Sequence, residues 1–409
     1  PVSTGAAAAR FGPELVVVLA GVSAALHVAK LSPALPVLRD ALQISLLQAG
    51  FLLSMVQLGG MLLGILLGGG ADTVGLRRSF LAGLVLLSVA GAAGGWAPDA
   101  GALLVLRAVE GLGFLLVTVP APGLIMRLVP ASRRSAAMGL WGAYMPTGTA
   151  LALLLGPVMV ARLGWPAWWW LLAGFTLLMA AWAWHRIPAD PAPPATSVRQ
   201  PELDGGWMQR LRRTLGARGP WLVALAFAVY AGQWLAVIGF LPTVFASTSA
   251  PGLLAAAPLA LVAAVNMIGN IASGRLLQRG VPPHRLLSAG YATMALGAML
   301  AFAVLPGPEA SPLPLAWRYA GVLVFSLVGG MVPGTLFTLA GAVAPDPSCV
   351  STTVGWMQQW SSIGQFAGPP LVGWVAGLAG DWRWTWLVTG ACALAGIGLA
   401  FGLRRELRR

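Results

Sequence analysis

Charge is scarce in this chain: 9% of its 409 residues are Asp, Glu, Lys or Arg, where a soluble domain carries roughly 25%, and 58% are hydrophobic. A mean hydropathy of +0.80 excludes a water-soluble globule and implies a multi-pass membrane protein. Cysteine is limited to Cys349, in a predicted loop, and Cys392, in a predicted span, which argues against a disulfide framework or a thiolate metal site. No Gly-x-x-x-x-Gly-Lys-Ser/Thr loop is present, which disfavours ATP-driven pumping by this chain. Lysine is nearly missing. Among 25 Lys+Arg, Lys30 is the single lysine, as if a coding bias writes arginine wherever a generic positive charge suffices.

The formal charge of +13 does not describe a nucleic-acid footprint, because the arginines sit at the ends of apolar segments instead of clustering on one face. Apolar windows of the length a bilayer requires, cut by Pro/Gly or polar punctuation, predict twelve helices: 14-38, 46-70, 79-97, 102-127, 137-162, 166-185, 220-245, 254-277, 286-305, 317-343, 351-378 and 384-403. Residues 186-219 form the one long polar break, Pro-rich at first and then a basic amphipathic helix within 203-218, expected to lie on the membrane. The expected organisation is therefore a six-helix unit over 1-185, a linker over 186-219, and a second unit over 220-409. The Ala-rich run 5-9 precedes the first apolar helix, the wrong order for a signal-peptide cleavage site, so that helix is expected to stay.

Orientation follows from arginine placement. With both termini in the cytoplasm, nineteen arginines fall inside and only Arg39, Arg162, Arg318 and Arg383 outside, which the positive-inside rule favours. The expected location is the cytoplasmic membrane of a bacterium. The halves also echo one another: Gly156-Pro157 and Gly164-Trp165-Pro166 in the first match Gly368-Pro369 and Asp381-Trp382 in the second, and Gly64-xxx-Gly68 matches Asn270-xxx-Gly274. Such internal duplication is a mark of secondary transporters. Gly60-xxx-Gly64-xxx-Gly68 and Gly364-xxx-Gly368 supply small-residue faces on which helices approach closely, either as fixed packing or as a moving gate.

Between the second and third helices the chain reads Gly68-Gly69-Gly70-Ala71-Asp72-Thr73-Val74-Gly75-Leu76-Arg77-Arg78. This resembles the G-x-x-x-D-x-x-G-x-R/K-R/K signature of the major facilitator superfamily, and Arg107 to Gly113 resembles that family's R-x-x-Q-G-x-G segment. The family's glutamine is Glu110 here, and the second-half counterpart of Asp72 is Gln278. The stretch Gln358 to Pro370 resembles, more loosely, the cyanate-permease-like and organic-anion branch. The resemblance implies an all-α integral membrane fold of two pseudo-symmetric six-helix bundles, with helices one, four, seven and ten around a central cavity. It also implies that Asp72 meets the start of the eleventh helix and closes a cytoplasmic gate with Gly68, Gly75, Arg77 and Arg78. A plain topological anchor at the two arginines is the other reading of that loop.

In that arrangement, at ~1.5 Å per residue, Lys30 and Arg107 lie roughly 8 Å below the outer interface and His27 and Glu110 roughly 12 Å. Ionisable groups facing lipid are costly, so four at matched depth point to one site. Their formal sum is +2 from Lys30 and Arg107 and −1 from Glu110, one negative charge short, which a small anionic substrate would supply. Glu110 or His27 would carry a coupling proton. Two plainer readings stand beside this: Lys30 snorkels to the interface, and Arg107 pairs with Glu110 for structure alone. From the second half, Tyr230, Gln233, Gln359 and Trp360 are expected to orient the substrate's body, with Trp234, Asn266, Asn270 and Trp356 nearby. One intramembrane acid and one histidine do not make an enzyme's acid pair or metal set. The sequence thus predicts a proton-coupled transporter of a small organic anion, acting as a monomer in the bilayer without metal or cofactor. A proton-driven exporter of drugs, suggested by Gly148 and Gly156-Pro157, is the second reading.

Overall fold

A computed structural model describes residues 12–65, 75–130, 133–190, 207–245, 253–304 and 312–408. Twelve apolar helices run through them: α1 Pro13–Leu42, α2 Leu46–Ile65, α3 Leu76–Gly94, α4 Ala100–Leu128, then α5 (144–163) and α6 (165–186) within Tyr144–Arg186, α7 Arg218–Phe245, α8 Leu253–Gln278, α9 Pro283–Phe302, α10 Leu315–Ala342, α11 Val350–Ala379 and α12 Thr385–Glu406. Among the described residues there is no β-strand beyond one isolated bridge between Val304 and Pro312. The spans agree with those read from hydropathy to within a few residues, except the fifth: the predicted 137-162 is broken at Ala143, into a short helix Arg134–Gly142 and α5 from Tyr144. The described part of α2 ends at Ile65, so Gly68 and Asp72 of the loop signature lie outside the described residues.

Proline and glycine set where the helices bend. α1 is interrupted at Lys30, α4 at Val119 and α10 at Gly330, each within three residues ahead of a proline: Pro33, Pro120 and Pro333. A proline lacks the N–H its helix needs and crowds the carbonyl four residues back, so a break falls there. α5 and α6 meet at Gly164, whose φ of +80° suits a residue without Cβ. Side-chain caps mark two starts. Ser45 and Gln48 form a reciprocal capping box at α2, and Asp99 accepts the Ala102 N–H at 2.8 Å at α4.

The two six-helix groups meet along α2 and α11. Gly50 lies against Pro369 and Pro370, Gly60 against Ser362, Gly64 against Gln359, and Gly373 against Leu46. A Cβ at Gly50 or Gly373 would collide with backbone of the opposite helix, and one at Gly60 or Gly64 would press on Ser362 or Gln359, so the small-residue stripe is what permits the approach. On the face opposite the linker, Leu31, Leu35 and Leu38 of α1 join Leu53 of α2 and Phe240, Leu241 and Phe245 of α7 in one cluster, each at most 4% exposed. That far face is sealed. The linker helix Trp207–Gly216 falls within the predicted stretch but differs in its docking. One face sits on the loop before α11, through Arg213 to Asp346 at 3.3 Å and the Cys349 thiol donating to the Arg210 carbonyl at 3.8 Å, while Met208 stays exposed.

Candidate functional site

The break in α1 leaves backbone carbonyls without helical partners, and α4 supplies donors to them. Arg107 reaches across: Nη1 donates to the His27 carbonyl at 2.6 Å, Nη2 to Val28 at 3.3 Å and Nε to Leu52 of α2 at 3.2 Å. The Trp168 indole of α6 donates to the Lys30 carbonyl at 3.1 Å. A guanidinium at the carbonyl end of the first half of α1 also meets the negative pole of that helix. Arg107 is therefore engaged chiefly in joining α1, α2 and α4.

Spacing of three brings the remaining charges together, because residues i and i+3 share a helix face. His27 and Lys30 project from α1, Arg107 and Glu110 from α4. Glu110 accepts from Arg107 Nη1 through Oε2 at 2.7 Å and from the Lys30 ammonium through Oε1, and His27 Nδ1 lies 3.4 Å from that same Oε1. Lys30 Nζ is also 3.2 Å from His27 Nδ1 and 4.8 Å from the centre of the Trp169 ring, and His27 Nε2 bonds Thr176 Oγ1 of α6 at 2.9 Å. All four groups are at most 1% exposed. With His27 neutral the formal charge of the ring is +1, and no lysine snorkels: its ammonium turns inward.

The ring's outlook differs from the one expected. It faces α3 and α6 inside the first six-helix group, with Gly91 of α3 leaving just enough room for the His27 imidazole, and not a cavity shared with the second half. None of the second-half candidates touches it. Tyr230 belongs to a separate neutral network, in which Asn266 Nδ2 donates to the Tyr230 hydroxyl at 3.0 Å and to the Ser326 carbonyl at 2.9 Å, and Trp234 Nε1 reaches Ser326 Oγ at 3.3 Å. Asn270 extends it to Asn266 at 3.2 Å. Gln233 is buried with neither amide atom partnered among the described residues, on the helix face of Val237 and Phe240, which line a small pocket with Trp382, Thr385 and Thr389. Trp360 stacks edge-on with Trp221 and Trp356.

Gln359 does cross between the halves, to backbone. Its Nε2 donates to the Met61 carbonyl at 2.8 Å and its Oε1 accepts from the Ile65 N–H at 3.1 Å, the two groups that an α-helix normally pairs with each other. The amide thus clamps the end of α2 to α11. One turn from Met61 lies Gln57, buried at the same face, whose Nε2 has no partner among the described residues. Sequence reasoning passed over Gln57. A polar residue within the apolar run of a span was its only signal.

Residues 15–369 match the sequence model of the Major Facilitator Superfamily. The chain belongs to that superfamily. Monocarboxylate transporter 11 of mouse is 31% identical over 315 residues, covering 73% of this chain and 65% of that protein, so the chain spans just under two thirds of that relative's length. The tetracenomycin C resistance and export protein of Streptomyces glaucescens is 31% identical over 96 residues, covering 24% of this chain and 18% of that one. A bacterial homologue of the human lysosomal transporter Spinster, solved inward-facing and occupied, superposes with a TM-score of 0.76 at 17% identity over 96% of both chains, a likeness of fold. Superfamily members are transporters and not enzymes.

The described end of the superfamily's loop signature has a partner that sequence did not reveal. Asp190, just past α6, accepts the backbone N–H groups of Arg77 at 3.0 Å and Arg78 at 3.1 Å, and pairs with Arg127 of α4 at 2.9 Å. It caps α3 from outside the helix, since Gly75, with φ of +96°, offers no side chain. A Cβ at Gly75 would collide with Asp190. Arg77 donates to the Trp184 carbonyl at 2.7 Å and lies over that ring at 4.6 Å. Partial burial pushes the Asp190 carboxyl up, but the two amides and the Arg127 guanidinium outweigh it and hold the group below the usual carboxylate value. An acid isolated among the arginines at that end of the bundle is the signal that was available.

Proposed function

We propose that this protein carries a small organic anion, a monocarboxylate or cyanate-like species, across the cytoplasmic membrane of a bacterium together with a proton. One observation carries this reading: Lys30, the single lysine, shares Glu110 with Arg107 in a dry ring whose formal charge is +1. That excess of positive charge favours an anionic substrate. Glu110 and the substrate then compete for the same ammonium, so a proton arriving on Glu110 releases Lys30, and anion and proton load together. His27, bridging Glu110 and Thr176, is the route for that proton. Arg107 keeps α1 and α4 in register while Lys30 holds the anion, and Gln57 with Trp360 or Tyr230 orients the organic body when the halves part.

Alternating access requires this buried ring to open, and α1 supplies a hinge for it. Lys30 stands at the interruption of α1, so a swing of residues 31–42 about that point opens the ring without unfolding either half of the helix. The gate residues Gly68, Asp72, Gly75, Arg77 and Arg78 act at the opposite end, with both termini in the cytoplasm. The relative named as a monocarboxylate transporter supports the anion class. Export of drugs is the second reading, favoured by the shorter matches to proteins named for multidrug and tetracenomycin C resistance.

A thermal-shift screen of the purified protein separates the two, because a ligand that binds the native state raises its apparent stability. Monocarboxylates or cyanate should stabilise, and more strongly at acid pH. Stabilisation by cationic dyes alone would remove the anion reading. Proteoliposome uptake under an imposed pH gradient then tests coupling.

A further inference from the structure

On the linker side, α8 ends in two arginines, Arg275 and Arg279. Arg275 and Arg279 are exposed and one turn apart, and neither takes part in an ion pair or side-chain hydrogen bond among the described residues. They close the lower end of a groove of about 500 Å³ whose upper wall is Ile268, Ile271, Ala272 and Leu276. Ile268 and Ile271 are 55% and 51% exposed, as side chains turned to hydrocarbon are. The spacing 268, 271/272, 275, 279 keeps all of these on one helix face.

The order along the face matters. Counted at ~1.5 Å per residue, Arg275 and Arg279 lie roughly 10 to 16 Å beyond Ile268, which is the separation between an upper acyl chain and its phosphate layer. Gly280, with φ of +82°, ends the helix immediately after. Two guanidiniums at that level offer bidentate donors to phosphate oxygens. A helix C-terminus already favours cations there, but that does not explain the apolar groove above them.

We propose that this groove is a binding site for one anionic phospholipid of the leaflet on the linker side, its phosphate held between Arg275 and Arg279 and its acyl chain lying along Ile268, Ile271 and Ala272. The site is independent of the ring at Lys30 and of any substrate assigned to it.

The test uses the full chain in a neutral detergent, titrated with dioctanoyl phosphatidylglycerol, dioctanoyl phosphatidylcholine or inorganic phosphate, and read by native mass spectrometry and thermal shift. Phosphatidylglycerol should be retained and stabilise, while the zwitterionic lipid and free phosphate should not. At about 1 kcal/mol for each basic residue near a membrane surface, Arg275→Gln with Arg279→Gln should weaken phosphatidylglycerol binding about 25-fold, and each single variant about fivefold. Arg404→Gln with Arg405→Gln, on the same side but outside the groove, should bind as the wild type does. If the double variant does not fold, the single variants carry the comparison. Undiminished binding after loss of Arg275 and Arg279, an equal loss in the Arg404/Arg405 variant, or equally tight binding of inorganic phosphate would each overturn the site.

Discussion

Lys30 and Glu110 meet across 80 residues of chain as an ion pair from which water is excluded, with side chains 0% and 1% exposed. Arg107 completes the pairing on the other carboxylate oxygen at 2.7 Å. Two cations on one acid is an unbalanced arrangement for a permanent strut, since a buried charge without its counterpart is costly. It suits a site that awaits a second anion.

Replacing Lys30 tests that role. Lys30→Gln removes a charge-assisted contact of roughly 1.5 to 3 kcal/mol, or about tenfold to over a hundredfold in substrate affinity. Lys30→Arg keeps the charge but forces a larger fork against Trp169, so its affinity falls less and its folded yield falls too, by an overpacking cost of about 1 to 3 kcal/mol. Substrate-induced thermal shifts and chromatographic yield are the readouts. Wild-type affinity in Lys30→Gln would move the anion elsewhere.

Glu110→Gln strands two buried cations and should lower stability by about 3 to 5 kcal/mol. Lys30→Met in the same chain should recover part of that loss, a non-additivity that a double-mutant cycle measures. In proteoliposomes the single Glu110→Gln variant should still exchange substrate for substrate while losing uphill transport driven by a pH gradient. Retained uphill transport would shift coupling to His27.

The clamp from Gln359 onto Met61 and Ile65 predicts a change in conformation more than in stability. Gln359→Ala frees two backbone groups that can pair with each other along α2, so the stability cost should stay near 1 kcal/mol. Spin labels on α2 and α11 should show a longer and broader distance distribution. An unaltered distribution would mean that the glycine contacts alone hold the helices.

At the other end of the same seam, Gly50→Val should pry α2 from α11, because a Cβ there stands 2.6 Å from the backbone of Pro369 and Pro370 and neither can step aside. Cysteine accessibility on the far face should rise. Accessibility equal to the wild type would contradict the seal described there.

Asp190→Asn keeps one acceptor oxygen but loses the charge facing Arg127 and one amide contact, and should destabilise the linker side by about 1 kcal/mol at neutral pH. The carboxyl is held below its ordinary value in the folded protein, so its contribution is complete above that ordinary value, about 3.9, and is lost as pH falls through the lower folded value. The stability gap between wild type and variant should therefore be constant from neutrality to about pH 5, begin to narrow near pH 4 and close as pH falls through the lower folded value. A gap that does not narrow at any pH below about 4 at which both proteins stay folded would show that the Asp190 charge is not what fastens α3.

The sequence by itself determined the membrane class, the twelve spans, and the superfamily, because apolar length, proline breaks and loop arginines act locally and survive any rearrangement of neighbours. It also determined that His27, Lys30, Arg107 and Glu110 come together, since spacing of three on each of two helices fixes a shared face, and depth matches them. Only the tertiary structure decided which way that face looks. The rotation of α1 and α4 about their axes is set by packing against α3 and α6, through Gly91, Trp169 and Thr176, and it turned the ring into the first bundle instead of toward Tyr230 and Gln359. The same physics hid Asp190 and gave Gln359 to the backbone of α2: the backbone groups these side chains bind lie more than a hundred residues away in the chain, and no local pattern records them.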